Sequence, residues 1–337
     1  NAQRPALIPV MIGDCSFMRI PLYFGMMTVC VIGLIGCESP SKAPVEASSV
    51  VVRTSLRVLD GRTGDELVWE TFMSRLEDAD VVVLGEQHDD ATGHAVQLAV
   101  VEDMLDRSPG SGGVALEMLE RDEQILVEDY RDEIIDAETF AKLSGSTSWS
   151  GTGSWEAWYQ PIIDAAIERD AAVIAANAPR RYVRLARTDG WERLDDLDAS
   201  RKTLVDRPDT PMTGGYRDRF IELMGGHGDP DAEVDEEAQA EAIELAESYF
   251  RSQQVWDATM AASVSEALRQ SGPPVMLLIG RFHSDSGGGA PQQIKRLHPA
   301  AHVVTISLEP ECGEVVFDEA MPQADFIVCT EESGTGA

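Results

Sequence analysis

Five short runs of apolar residues, alternating with longer helical patterns, constrain the fold of this 337-residue chain more than any other feature. The runs are apolar along their whole length, which is typical of strands buried on both faces of a parallel sheet. The segments between them repeat apolar residues at helical spacing, as residues 95–106 do. The sequence therefore predicts an α/β fold in which helices cover both faces of a mostly parallel β-sheet. The predicted strands are 81–84, 113–117, 172–175, 275–279 and 302–308.

One region interrupts this alternation. Residues 179–272 contain no convincing strand, and their apolar residues fall at helical spacing on either side of a glycine-rich break at 225–228. We interpret the region as a helical insertion that lies over one edge of the sheet. The predicted α/β domain spans residues 53–330 and includes this insertion.

The amino-terminal region has the pattern of a lipoprotein export signal. An apolar run leads to the sequence Leu-Ile-Gly-Cys at 34–37, which resembles a bacterial lipobox. A membrane anchor is the alternative, but the run is shorter than the ~20 apolar residues that a spanning helix needs. We therefore expect residues 1–36, an over-extended gene start plus a signal peptide, to be removed and Cys37 to carry lipid. Residues 37–52 are the predicted tether of an extracytoplasmic, membrane-anchored lipoprotein on the periplasmic face or the cell surface.

Charge excludes one class of partner. The chain has 27 Lys and Arg against 59 Asp and Glu, a formal net charge of −32 at pH 7. A surface this negative repels phosphate backbones, so we expect no nucleic-acid partner.

The predicted cleavage determines which cysteines are available to form a disulfide. Cys312 and Cys329 are the two that remain once the signal is removed and Cys37 is lipidated, and the compartment permits disulfides. Two interpretations stay open: the two cysteines form a disulfide between neighbouring strands around 315–317 and 326–328, or they are two small buried hydrophobic side chains. Either way, a metal site built on cysteines is not expected.

Polar side chains follow four of the five predicted strands. In an open parallel sheet the carboxyl ends of the strands form the ligand crevice, so we expect these side chains to converge in one cleft. Two of them are histidines, each three positions after a glycine, Gly85 or Gly280. Each glycine lies at the end of a predicted strand, where it permits a sharp turn and close backbone approach. The residues concerned are Glu86, His88, Glu117, Asn177, His283 and Asp285.

Four of these residues suit metal chemistry. Glu86, His88, Glu117 and His283 combine two imidazoles with two carboxylates, a ligand set for Zn or another divalent first-row metal. They are the predicted metal ligands and the candidate catalytic residues, with one glutamate as general base toward a bound water. The alternative is that each histidine only caps a turn or bonds to a glutamate, but unpaired buried carboxylates are costly and a cluster of four favours a site. His94 either faces the same cleft or caps its helix, and both remain open.

The order of sequence blocks resembles a known family. LGEQHDD, LEMLERDEQILVEDY, WEAWYQPIIDAA with VIAANAPR, QQVWDATMAASVSEAL and GRFHSDSGGGAPQQI occur in this order across roughly residues 75–308. They resemble the ChaN-like haem-binding lipoproteins of the haem-uptake, Tiki superfamily. Where relatives read G-x-G-H, this chain has Phe282, which is expected to narrow the loop. The resemblance marks as cleft residues Glu86, His88, Glu117, Asn177 and His283.

The resemblance implies a membrane-tethered haem-binding protein involved in haem or iron uptake. The cofactor would be haem, with His88, His94, Asn177 and His283 as candidate cofactor-binding residues and haem- or iron-uptake machinery as the partner. A homodimer is one assembly left open. Related branches of the superfamily are metal-dependent peptidases and esterase-like hydrolases, so a divalent-metal hydrolase using the His/Glu cluster is the alternative function. We expect haem binding.

Overall fold

The computed structural model describes residues 45–145, 151–225, 236–314, 317 and 322–330. The predicted signal, Cys37 and the first part of the tether lie outside these residues. In the described parts, eight strands form one sheet in the order β2-β1-β8-β7-β3-β6-β4-β5. The strands are β1 Arg57–Asp60, β2 Glu66–Leu67, β3 Val81–Glu86, β4 Gly113–Glu120, β5 Ala172–Asn177, β6 Val275–Gly280, β7 Val303–Glu309 and β8 Phe326–Cys329.

The sheet is mostly parallel, as predicted. The pairings β3 with β6 and β7, β4 with β5 and β6, and β7 with β8 are parallel, whereas β1 pairs with β2 and β8 in antiparallel fashion. All five strands predicted from apolar runs are present. The α/β fold class is confirmed.

Helices cover both faces of the sheet. On one face, Val82 and Leu84 of β3 belong to a core shared with the helices that follow β3 and precede β5. On the other face, Val81 and Val83 pack with the helices on either side of β6. Because successive strand residues point to opposite faces, a strand covered on both sides must be apolar throughout, which explains the runs in the sequence. The helices are α1 Val45–Ser55, α2 Trp69–Leu76, α3 Ala91–Arg107, α4 Gln124–Arg131, α5 Ala137–Leu143, α6 Gln160–Glu168, α7 Arg180–Asp189, α8 Glu192–Asp195, α9 Ala199–Lys202, α10 Gly215–Gly225, α11 Glu236–Ser271 and α12 Gly289–Leu297.

The region predicted as a helical insertion is helical. Its described residues, 179–225 and 236–272, hold α7 to α11 and no strand. The prediction placed this region over one edge of the sheet, but its helix α11 also lies on one face of the sheet. Met260, Ala261 and Val264 of this 36-residue helix are buried against one face of the sheet, where they complete the core beside β6.

The segment assigned to the tether is partly structured. Residues 45–55 form α1, so the predicted domain boundary at residue 53 falls inside a helix. Val52 is buried against the core, and Arg53 forms ion pairs with Glu102 and Asp103 of α3 at 2.7 and 2.9 Å. The prediction that residues 37–52 are a tether is wrong for residues 45–52, because this part is helical and its neighbourhood packs on a helix that is distant in sequence.

The carboxyl-terminal strand carries a disulfide. Cys329 at the end of β8 bonds to Cys312, with Cα atoms 5.5 Å apart. Of the two interpretations of these cysteines, the disulfide is confirmed. Cys312 lies in a short 3-10 turn, and residues 315 and 316 of the strand predicted there are outside the described residues.

No helix in the described ranges combines the length and the apolar character needed to cross a membrane.

Candidate functional site

The two glycines of the G-x-x-H sequences hold the site close to the sheet edge. Glu86 at the end of β3 is in register with Gly280 at the end of β6. A Cβ atom on Gly280 would lie 3.1 Å from Nε2 of His88, and one on Gly85 would lie 3.0 Å from Cα of Arg281. Both contacts are tighter than most Cβ atoms make, so a side chain at either position would have to displace its neighbour. The strand ends therefore bring Glu86, His88, Glu117 and His283 to one edge.

Glu86 is a buried carboxylate with three hydrogen-bonding neighbours. Its Oε1 accepts from the Tyr159 hydroxyl at 2.7 Å and lies 2.8 Å from Nδ1 of His88, while its Oε2 accepts from Gln97 at 2.6 Å. Burial acts to raise the pKa of Glu86, but nearby His94 and His88 and the Tyr159 hydrogen bond outweigh it and lower the pKa. Glu86 is thus ionised and enclosed. In this position Glu86 orients His88 through a hydrogen bond, and its buried oxygens are not exposed to solvent.

His88 is the accessible member of the group. Its side chain is 43% exposed, whereas that of Glu86 is fully buried. Partial burial acts to lower the pKa of His88, but the hydrogen bond to Glu86 and the charge of Glu117 raise the pKa from 6.5 to about 9. The imidazole is therefore protonated at neutral pH until a ligand displaces the proton.

Glu117 lies between the two histidines. Its Oε2 accepts a hydrogen bond from the Gly280 amide at 2.6 Å, and its Oε1 lies 3.5 Å from Nε2 of His283. The β4–β5 pairing shifts register between Leu116 and Glu120, which is where Glu117 leaves the regular ladder. Asn177 supports this turn, since its amide donates to the Glu117 carbonyl at 2.9 Å.

His283 is buried and takes its main partner from the helical insertion. Its Nδ1 lies 2.6 Å from Oδ1 of Asp257, whose other oxygen accepts from the Tyr216 hydroxyl at 2.7 Å. Gln253 lies one turn earlier on α11, with Nε2 2.9 Å from the same His283 nitrogen. Burial acts to lower the pKa of His283, but the carboxylates of Glu117 and Asp257 outweigh it and raise the pKa.

Sequence reasoning missed the residues that orient the two histidines. Asp257 is fully buried in α11, and the signal for it was present: a lone acid inside the otherwise uncharged helical stretch 252–265. Gln97 and Tyr159 carried no comparable signal, because a glutamine and a tyrosine in helical patterns are ordinary.

Phe282 packs against the helical insertion, with its ring centroid 5.7 and 5.8 Å from those of Tyr216 and Phe220.

His94 is not accessible to a cofactor, contrary to one of the two interpretations. The side chain is fully buried, with its ring stacked on Trp158 at a centroid distance of 4.9 Å. Its Nδ1 lies 2.9 Å from Gln97 Oε1 and its Nε2 lies 3.1 Å from the His88 carbonyl. With both nitrogens bonded inside the core, His94 supports the turn that presents His88.

The predicted divalent-metal site is not supported. In the parts of the chain that the structure describes, no three His, Cys, Asp or Glu side chains are grouped to hold a metal ion. The physical reason is that each imidazole turns toward its own carboxylate, His88 to Glu86 and His283 to Asp257, while a Glu117 oxygen is taken by a backbone amide. The side chains share one edge without pointing at one centre.

A cavity of about 550 Å³ opens beside this cluster, at the ends of β3, β6 and β7. Asp285 contacts the same region through Gln323, whose Nε2 lies 3.2 Å from Oδ2 of Asp285. Burial raises the pKa of Asp285 to about 6. The same Gln323 Nε2 lies 3.0 Å from Oγ of Ser307, which places Asp285 on the β7 side of the edge. The cavity is lined by Gln87, Asp89, Arg281, Glu309, Pro310, Glu311 and Gln323.

Comparison with known proteins identifies one family model. The model described as haem-binding uptake, Tiki superfamily, ChaN matches residues 72–294, about two thirds of the chain. The match includes Glu86, His88, Glu117, Asp257 and His283. No curated protein sequence matches the chain.

Solved structures share the fold. The structure described as cofacial heme binding to ChaN of Campylobacter jejuni is 19% identical, with a TM-score of 0.59, and the alignment covers 82% of this chain and 97% of that one. A Bacillus cereus protein is 12% identical with a TM-score of 0.40, covering 80% and 75%. The erythromycin esterase EreC is 13% identical with a TM-score of 0.40, covering 82% and 83%. At these identities the C. jejuni structure supports the fold, and the other two carry no argument.

Proposed function

This chain belongs to the haem-binding uptake, Tiki superfamily, ChaN family, and from that premise we propose that it is a haem-binding protein. The observation that carries the proposal is the family match over residues 72–294, which contains the whole His/Glu cluster at the sheet edge. The C. jejuni ChaN, whose structure is described as binding heme cofacially, shares the fold over 97% of its length. The match supports haem as the ligand class.

His88 is the residue of this cluster that fits haem best. Haem, if bound, would supply an iron that an imidazole nitrogen can ligate. Histidines that ligate metals usually direct their other ring nitrogen to a carboxylate, and Nδ1 of His88 lies 2.8 Å from buried Glu86. The side chain is 43% exposed, while His283 and Asn177 are buried and bonded to protein groups. We therefore assign the haem contact to His88 and supporting roles to His283, Asn177 and His94.

The metal-dependent hydrolase is not proposed. It would need Glu86, His88, Glu117 and His283 to hold a divalent ion together, and no such grouping exists among the residues that the structure describes. Glu86 also lacks the exposure of a general base toward water, since its side chain is fully buried beneath three hydrogen-bonding groups.

The biological setting extends the same proposal. Family membership supports a role in haem uptake outside the cytoplasm. We further propose uptake machinery as the partner and, from the sequence at 34–37, lipid on Cys37 as the membrane anchor. We also propose a homodimer as the haem-bound assembly. The C. jejuni ChaN structure is described as binding heme cofacially, and in a homodimer each copy of this chain would bring one haem to such a pair.

Titration with haemin, followed by visible spectroscopy, tests the proposal. The wild-type protein should bind haemin saturably, with a shift of the Soret band, and His88→Ala should abolish that shift. His302→Ala is the matched control, because His302 is exposed and directly precedes β7. It therefore lies at the amino ends of the parallel strands, whereas the site lies at their carboxyl ends. Absence of saturable binding by wild-type protein would overturn haem binding, and an unchanged His88→Ala spectrum would overturn the assignment of His88. Light scattering with and without haemin tests the dimer.

A further inference from the structure

A second cavity lies within the helical insertion, away from the sheet edge. Its volume is about 400 Å³, at the small end of the roughly 300–1,000 Å³ typical of ligand pockets. The walls come from the α7–α8 turn, the segment before α10, and α10 and α11. Trp191, Met212 and Phe250 supply an aromatic and apolar wall, and Arg217 and Arg251 supply two guanidinium groups.

The two arginines differ in their partners. Arg217 is neutralised by an ion pair with Glu247. Arg251 donates from Nη2 to the Arg187 carbonyl at 3.0 Å, but within the described ranges it pairs with no carboxylate. Its Nε is buried and has no acceptor among the described residues. Arg251 is therefore the guanidinium of this cavity that no described carboxylate neutralises, whereas Arg217 is paired.

The apolar wall is held in place by hydrogen bonds around the cavity. The Trp191 indole donates to the Arg251 carbonyl at 3.3 Å. The Met212 amide donates to Gln254 Oε1 at 2.6 Å, which ties the segment before α10 to α11. Phe250, Met212 and Gln254 are buried. The cavity is thus formed before any ligand arrives, a condition that reduces the entropic cost of binding.

We propose that this cavity binds a small organic monocarboxylate with an apolar body, its carboxylate on Arg251 and its body against Trp191 and Phe250. Arginine recognises carboxylates through paired N–H donors, and the aromatic rings favour a hydrocarbon chain or single ring over a sugar. Glu192 also lines the cavity, so the preference for an anion rests on the approach to Arg251 and not on the net charge of the walls. The site is separate from the haem proposal, since none of the residues assigned to haem lines it.

Calorimetric titration of the full chain with three matched probes tests the site. Hexanoate should bind saturably with one-to-one stoichiometry. Hexylamine has the same body with the opposite charge, and acetate has the charge without the body, so each should bind at least tenfold more weakly. Equal binding of hexylamine, or no saturable binding of hexanoate, would overturn the proposal.

Variants locate the site. Arg251→Met should weaken hexanoate binding at least tenfold, and Arg251→Lys should restore part of it because the charge returns. Lys202→Met is the control, since it removes an exposed cation outside the cavity and should change nothing. Unchanged binding by folded Arg251→Met would overturn the assignment. If Arg251→Met does not fold, the comparison of hexanoate, hexylamine and acetate on the wild-type protein tests the proposal. Competition between haemin and hexanoate would also contradict a separate site.

Discussion

Nδ1 of His283 lies 2.6 Å from Oδ1 of Asp257, although one residue follows a strand and the other belongs to a helix of the insertion. The contact joins the insertion to the sheet edge at the site itself. Both side chains are buried, so neither has water as an alternative partner. The insertion therefore completes the candidate site as well as covering the sheet.

Removal of the Asp257 carboxylate should destabilise the fold. Asp257→Ala leaves His283 and Tyr216 without their shared partner, and breaking a buried charged pair costs about 3–5 kcal/mol. We expect the free energy of unfolding in urea to fall by that order. Asp209→Ala, at an exposed position of the insertion, should change it by less than about 0.5 kcal/mol. Equal stabilities of the two variants would show that the buried pair contributes nothing.

The His88–Glu86 pair should make stability depend on pH. The pKa of His88 is raised from 6.5 to about 9 in the folded protein, so the folded state holds a proton that the unfolded state has lost between these values. Its stabilising contribution is complete below pH 6.5 and declines as pH rises to 9. Urea unfolding of wild type and His88→Asn at pH 6, 7.5 and 9 should show a wild-type advantage that shrinks with pH. An advantage that is constant across this range would contradict the raised pKa.

His94→Phe should separate stability from haem binding. The phenyl ring can keep the stacking on Trp158, but the hydrogen-bonding groups of Gln97 and the His88 carbonyl lose their partner. Unsatisfied buried groups cost about 1–3 kcal/mol each, so the loss of two partners should lower the unfolding free energy by about 2–6 kcal/mol. The folded variant should still show the shifted Soret band with haemin, because His94 acts through the turn that presents His88 and does not contact haem. Loss of the haemin spectrum from a folded variant would return His94 to the list of cofactor contacts.

Reduction of the Cys312–Cys329 bond should lower stability. The cysteines are 17 residues apart, and closing a loop of ~15 residues restricts the unfolded chain by about 3 kcal/mol. Reductant should therefore lower the unfolding free energy of wild type by about that amount. The double variant Cys312→Ser, Cys329→Ser should start at the lower value and ignore reductant. A reductant effect that persists in the double variant would point to another cause.

The anchor prediction concerns residues outside the described structure. Cys37→Ser should release the protein from membranes, because the predicted lipid needs that thiol for its attachment. Cys30→Ser is the control, since it lies inside the apolar run that is discarded. Fractionation of cells expressing each variant measures the result. Membrane association of Cys37→Ser at the wild-type level would contradict the lipobox.

The sequence by itself determined the layered fold and the sheet edge that carries the site. A run such as Val-Val-Val-Leu at 81–84 has no polar face, so it must be covered on both sides, and parallel strands then bring their following residues to one edge. Glycines at 85 and 280 indicated where the backbone turns closely. These inferences depend only on local pattern and on topology that every parallel sheet shares.

Only the tertiary structure decided which partner each group has. His283 pairs with Asp257 of the insertion, Glu86 with Gln97 and Tyr159, and none of these pairings follows from spacing along the chain. The same holds for Cys312 and Cys329, which the placement of β8 beside β7 brings together. The physical reason is that hydrogen bonds and ion pairs depend on a few tenths of an ångström between residues far apart in sequence, whereas apolar burial tolerates many arrangements.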